Sequence, residues 1–119
     1  MDNIPTYQDT SSSFEQEIIL GDRLMIITLF WNSRSGAWYM DIEDNETGDS
    51  VSGVKLIPDW PVLRQYRAYI PDFDGDIMVI AIDTDVDERI TYENLNDGYE
   101  LNYITAEELE QWEDYNGVG

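Results

Sequence analysis

Between Phe14 and Trp31, two runs of β-forming residues meet at Gly21 and Asp22, a pattern satisfied by a chain that folds back on itself as a hairpin. In the second arm, Leu24, Ile26, Thr28 and Phe30 alternate with Met25, Ile27, Leu29 and Trp31. Strand side chains point to opposite faces in turn, so this arm is apolar on both faces. That predicts burial on both sides, by the domain's own layers or by a partner.

The segments that follow extend the same architecture. Asn32 to Gly36 is turn-rich, and Trp38, Met40 and Ile42 then alternate with Tyr39, Asp41 and Glu43 as in a half-buried strand. After a turn over Asp44 to Gly48, Val51 to Leu56 supplies a fourth strand interrupted by Gly53, the mark of a bulge. Pro58 and Pro61 bracket a change of direction, and residues 61–66 suit a short helical turn opened by Pro61. Ile77 to Ile82 has the continuous apolar character of a central strand, and Leu101 to Ile104 forms one more. About six strands at short spacing predict a mostly β fold, a compact antiparallel sandwich or a partly open barrel.

The end of the chain changes character. Thr105 and Glu108 stand three apart as a capping box, with Ile104 and Leu109 in the staple positions and Leu109, Trp112 and Tyr115 on one stripe. A short acidic helix is expected, and at this length it needs a docking surface, either its own sheet or a neighbouring subunit. These readings divide the chain into a flexible arm over 1–13, where little apolar material occurs beyond Ile4 and Tyr7, a β-rich domain over 14–105, and an acidic helix and tail over 106–119.

Charge and missing residue types narrow the function. Against 26 acids stand 6 bases, a formal charge of −20. Direct binding to a nucleic-acid backbone or an anionic membrane needs clustered Lys and Arg and is not expected. No stretch approaches the roughly 20 apolar residues of a membrane span, and the first residues do not resemble a signal peptide, so a soluble protein made in a cytoplasm is expected. With no His and no Cys, the usual triads, thiol nucleophiles, and histidine or cysteine metal sites cannot be built. Paired carboxylates remain, but no spacing singles out a catalytic pair, so no catalytic residue and no enzyme activity is expected.

Two acidic clusters invite a calcium reading: Asp72, Asp74 and Asp76 around Gly75, and Asp83, Asp85 and Asp87 followed by Glu88. The second has Glu88 where the EF-hand loop requires Gly and Asn94 where it requires Glu; the first lacks a terminal acid at the right distance. Both read as solvated loop acids, and no metal or cofactor is expected.

Arg64 and Arg67 flank Tyr66, either to meet an acidic neighbour or to pair with carboxylates of the same chain. With the aromatic anchors, they make up a candidate interface of Trp31, Trp60, Tyr66, Arg64, Arg67, Leu109 and Trp112.

Trp31, Asn32, Arg34, Gly36 and Trp38 resemble the corresponding stretch of the small baseplate plug proteins of contractile-tailed bacteriophages. The likeness extends over the Gly21 hairpin and the Gly53, Leu56 and Pro58 segment, then Leu63 with Gln65, Tyr66 and Arg67. It continues through Thr91, Asn94 and Leu95 to Leu101–Tyr103, covering residues 14–105. The resemblance implies a β-rich virion component of the tail baseplate, assembled from protein made in the host cytoplasm. Its partners would be other baseplate proteins, namely hub, spike, tube or tube initiator. It supplies no active-site residues. A reading from another class also fits size and charge: an acidic mimic of DNA that occupies the basic groove of a host defence protein.

Overall fold

The computed structural model describes residues 2–4, 13–82, 90, 95 and 98–117. Among these residues, seven strands form two antiparallel sheets. The four-stranded sheet is a meander of β2 (Ser13–Leu20), β3 (Arg23–Asn32), β4 (Ala37–Asp44) and β5 (Ser50–Lys55). In the three-stranded sheet, β7 (Tyr99–Ile104) lies between β1 (Asp2–Ile4) and β6 (Asp76–Ala81). A 3-10 turn spans Arg64–Tyr69, and helix α1 spans Ala106–Asn116.

The sheets share one core and do not close into a barrel. On β3 the inward residues Met25, Ile27 and Leu29 are fully buried, as are their cross-strand partners Ile42 and Met40 on β4. They meet Ile77, Val79, Leu101 and Tyr103 from the opposite sheet. Each such side chain contributes about 1.5–3 kcal/mol when buried. Asp44, at the inner end of β4, is buried with a partner: Arg23 Nε donates to its Oδ2 at 2.6 Å and Arg23 Nη2 to its Oδ1 at 3.3 Å. The same Oδ1 accepts from Glu46 N, so one carboxylate joins the β2–β3 hairpin to the β4–β5 turn.

The turns form as their residues dictate. Asn32 Oδ1 accepts from Arg34 N and Ser35 N, and Gly36, at φ 66°, donates its N–H to Asn32 O. Trp31 and Trp38 pair across the mouth of this turn, with ring centroids 5.7 Å apart in an edge-on arrangement. Gly53 sits in the bulge of β5 at φ 70° and donates to Asp41 Oδ1 at 2.7 Å.

Two expectations need correction. Residues 2–4 do not belong to a flexible arm: they form β1 on β7, and Ile4 is fully buried. One apolar residue in a polar segment pairs with a strand almost a hundred residues away, which local pattern cannot reveal. Residues 5–12 lie outside the described residues. Next, β6 is not a central strand. By strand order it is an edge, covered by the Pro58–Leu63 segment, with Asp59 N donating to Val79 O and Val62 N to Ile77 O. Its apolar run arises because Ile77 and Val79 face the core while Met78 and Ile80 lie under helix α1. The short helical turn expected near residues 61–66 is present as the 3-10 turn over Arg64–Tyr69, entered through a bend in which Arg64 N donates to Pro61 O.

Helix α1 has the expected capping box. Thr105 Oγ1 accepts from Glu108 N at 3.2 Å and Glu108 Oε1 accepts from Thr105 N at 2.9 Å. The helix docks on its own sheet: Leu109 is buried against Ile104 and Met78, and Trp112 packs beside them. Tyr115, on the predicted stripe, is instead 91% exposed.

Candidate interface

Six of the seven candidate interface residues gather where the 58–70 segment meets helix α1 and β6. The Trp60 and Trp112 rings stand edge to face with centroids 5.3 Å apart. Trp60 keeps 39% of its surface exposed. Arg64 forms an ion pair with Glu113 of the helix at 3.2 Å, tying the 3-10 turn to α1. Arg67 Nη2 donates to Gly75 O at 3.1 Å and stands 3.5 Å from Asp76 Oδ2. Both arginines therefore meet carboxylates of their own chain. Tyr66 is half-buried against the core, and Leu109 is buried under the helix. Trp31 lies apart from this group, on the inner side of β3 at the Trp38 turn.

Asp76 anchors the cluster from below. It is fully buried, and its Oδ1 accepts from Leu63 N at 2.8 Å and from Ile77 N at 2.7 Å. Oδ2 accepts no hydrogen bond among the described residues. Burial pushes this carboxyl up to about 6; the two N–H donors and Arg67 oppose the rise, while Glu113 adds to it. Asp76 is therefore turned into the protein, whereas Asp72 and Asp74 of the same acidic run are exposed. Among the described residues no group of three or more acids, His or Cys is arranged to hold a metal ion. The second acidic cluster, 83–88, lies outside the described residues. Among the described residues no helix is long and apolar enough to cross a membrane.

The outer face of the four-stranded sheet was not among the candidates beyond its two-faced pattern. Here Leu24, Ile26, Thr28 and Phe30 of β3 are half-buried, and Phe30 stacks on Tyr39 with centroids 5.8 Å apart. Ile19, opposite Leu24, is 69% exposed. Glu15 and Glu17 pair in register with Thr28 and Ile26 on one side, and Asp41 and Glu43 with the same two residues on the other. The acids are thus not confined to turns. The signal in the sequence was the apolar outer alternation of β3, which an antiparallel sheet facing water ordinarily replaces with polar residues.

A family model described as the cyanophage baseplate Pam3 plug gp18 matches residues 1–107. The chain belongs to this family of phage baseplate plugs. The match spans both sheets and ends at the first turn of α1, so most of the helix that carries Leu109 and Trp112 lies outside the shared region of the plug. No curated protein matches the chain.

Proposed function

We propose that this protein is a structural plug that occupies the tail baseplate of a phage virion, is assembled from chains made in the host cytoplasm, and performs no catalysis. The family match over residues 1–107 carries this reading. The residue inventory supports it: without His or Cys, the commonest acid–base and nucleophilic machinery is missing. Its partners are other baseplate proteins of the hub, spike, tube or tube initiator type. The half-exposed pair of Trp60 and Trp112, with Arg64, Arg67 and Tyr66 behind it, is one surface suited to such contacts, since partly exposed aromatic anchors gain most when a partner excludes water around them. Leu109 serves that surface indirectly by holding the helix down.

The test is mass spectrometry of purified virions and of isolated tails, with a phage deleted for the gene as control. Stoichiometric presence of the chain in baseplate fractions, with failed tail assembly in the deletion, is expected. Its absence from virions that assemble and infect normally would contradict the proposal.

A further inference from the structure

We propose that the outer face of the β2–β5 sheet is a docking surface for a protein partner bearing an apolar ridge between basic side chains. The partner's identity as a baseplate component rests on the function proposed above. The surface and its chemistry rest on the sheet itself.

The spine of the face is Leu24, Ile26 and Phe30, extended sideways by Tyr39 stacked on Phe30 and by the exposed Ile19 beside Leu24. From Leu24 to Phe30 it runs about 20 Å at the rise of a strand. The helix packs on the other sheet and the 3-10 turn lies beside β5, so among the described elements none covers this spine. Apolar residues in the centre of an exposed sheet face are what an interaction surface requires and what an isolated sandwich avoids.

Charge identifies the occupant. Neighbouring strands lie about 4.8 Å apart, so Glu15 and Glu17 on β2 and Asp41 and Glu43 on β4 form two acidic rows about 10 Å apart, one on each side of the spine. Among the described residues of this face, one cation opposes these four carboxylates: Lys55, opposite Tyr39. Glu15 and Asp41 are already engaged, by Thr28 Oγ1 at 3.4 Å and Gly53 N at 2.7 Å; these bonds hold them in place and leave their charge. An open depression of about 290 Å³ runs from Glu15 over Ile26 and Thr28, past Asp41 and Glu43, to Ser50 and Ser52 on β5. A second copy of this chain would set four carboxylates against four. Nucleic acid and anionic lipid are repelled likewise. A protein whose Lys or Arg side chains flank an apolar ridge satisfies both features at once.

The experiment is co-purification of the full tagged chain with the tail baseplate proteins encoded beside it in the phage genome, co-expressed, followed by affinity measurement on the captured pair. Ile26→Lys sets a cation between Glu17 and Glu43, its cross-strand neighbours, while interrupting the ridge and repelling a basic partner. It should weaken binding at least about tenfold. Glu17→Gln with Glu43→Gln, which leaves the fold's contacts in place should Ile26→Lys fail to fold, should weaken it about fivefold and flatten its salt dependence. Tyr115→Ala, on the far helix, should leave it unchanged. If the wild type captures a baseplate protein and neither face variant weakens the pair, this surface is wrong while the baseplate function stands. If the wild type captures none of them, the functional proposal itself falls. Self-association through the face, lost in Ile26→Lys, overturns the choice of occupant.

Discussion

Replacing Asp76 by Asn should make the protein more stable at neutral pH, although it alters one of its most buried polar groups. The carboxyl has an ordinary value of 3.8 and is raised in the fold to about 6, because burial disfavours its charge more than Arg67 and the N–H groups of Leu63 and Ile77 favour it. A raised folded value means that the native state binds the proton more tightly than the unfolded chain. Its stabilising contribution is complete below pH 3.8 and is lost as pH rises through about 6. At about 1.4 kcal/mol per pH unit, this gap corresponds to about 3 kcal/mol of stability missing at pH 8. An Asn side chain retains an oxygen to accept from Leu63 and Ile77 and carries no charge to desolvate, while Arg67 keeps its bond to Gly75 O. Urea unfolding, followed by Trp fluorescence from pH 5 to 8 at constant ionic strength, reads the effect. Self-repulsion among the other acids also weakens the fold as pH rises, but equally in both proteins, so the difference between the two curves isolates Asp76. Asp44 does not interfere in this window: burial raises its carboxyl, but the Arg23 hydrogen bond and the turn N–H groups outweigh burial and leave it lowered, so its contribution is lost only at lower pH. The Asp76→Asn variant should gain up to about 3 kcal/mol at pH 8 and about half as much at pH 5, the gain vanishing only below pH 3.8. A wild-type stability that is flat across this range, or a variant less stable than wild type at pH 8, would refute the reasoning.

Asp76→Ala separates the acceptor from the charge: two buried N–H groups lose their partner, and the variant should fall below Asp76→Asn by about 2–5 kcal/mol in the same assay. Gly75 holds φ 91°, and an added Cβ would collide with the Ile104 carbonyl oxygen, so Gly75→Ala should cost at least about 2 kcal/mol and lower the thermal midpoint. Thr105→Ala removes half of the capping box and should cost about 1 kcal/mol. The loss should show first in faster amide exchange at residues 106–110, with the sheet amides unchanged.

Legibility followed the range of the interactions. The Gly21 hairpin, the Asn32–Gly36 turn, the Gly53 bulge and the Thr105–Glu108 box are each built by residues close in sequence or in adjacent strands, and each stands where its pattern placed it. What depended on distant pairing was hidden. Ile4 on β7 has no local signature, and β6 read as central because a helix and a loop bury it where further strands were expected. In the candidate interface, aromatic content singled out Trp60 and Trp112 one by one; that their rings meet, and that Leu109 is consumed under the helix, emerged only from the fold. The arginines were legible only as a choice between partners, and Glu113 and Asp76 of the same chain now occupy them. The outer face of β3 was visible as apolar alternation. Its acidic flanks emerged only once register set Glu17 and Glu43 on either side of Ile26.

Electron cryomicroscopy of the intact tail, at a resolution that traces side chains, measures the central claim most directly. The account predicts this two-sheet domain enclosed within the baseplate, with Leu24, Ile26 and Phe30 covered by a neighbouring protein whose Lys or Arg side chains reach Glu17 and Glu43. A complete baseplate with no density for this domain would contradict it.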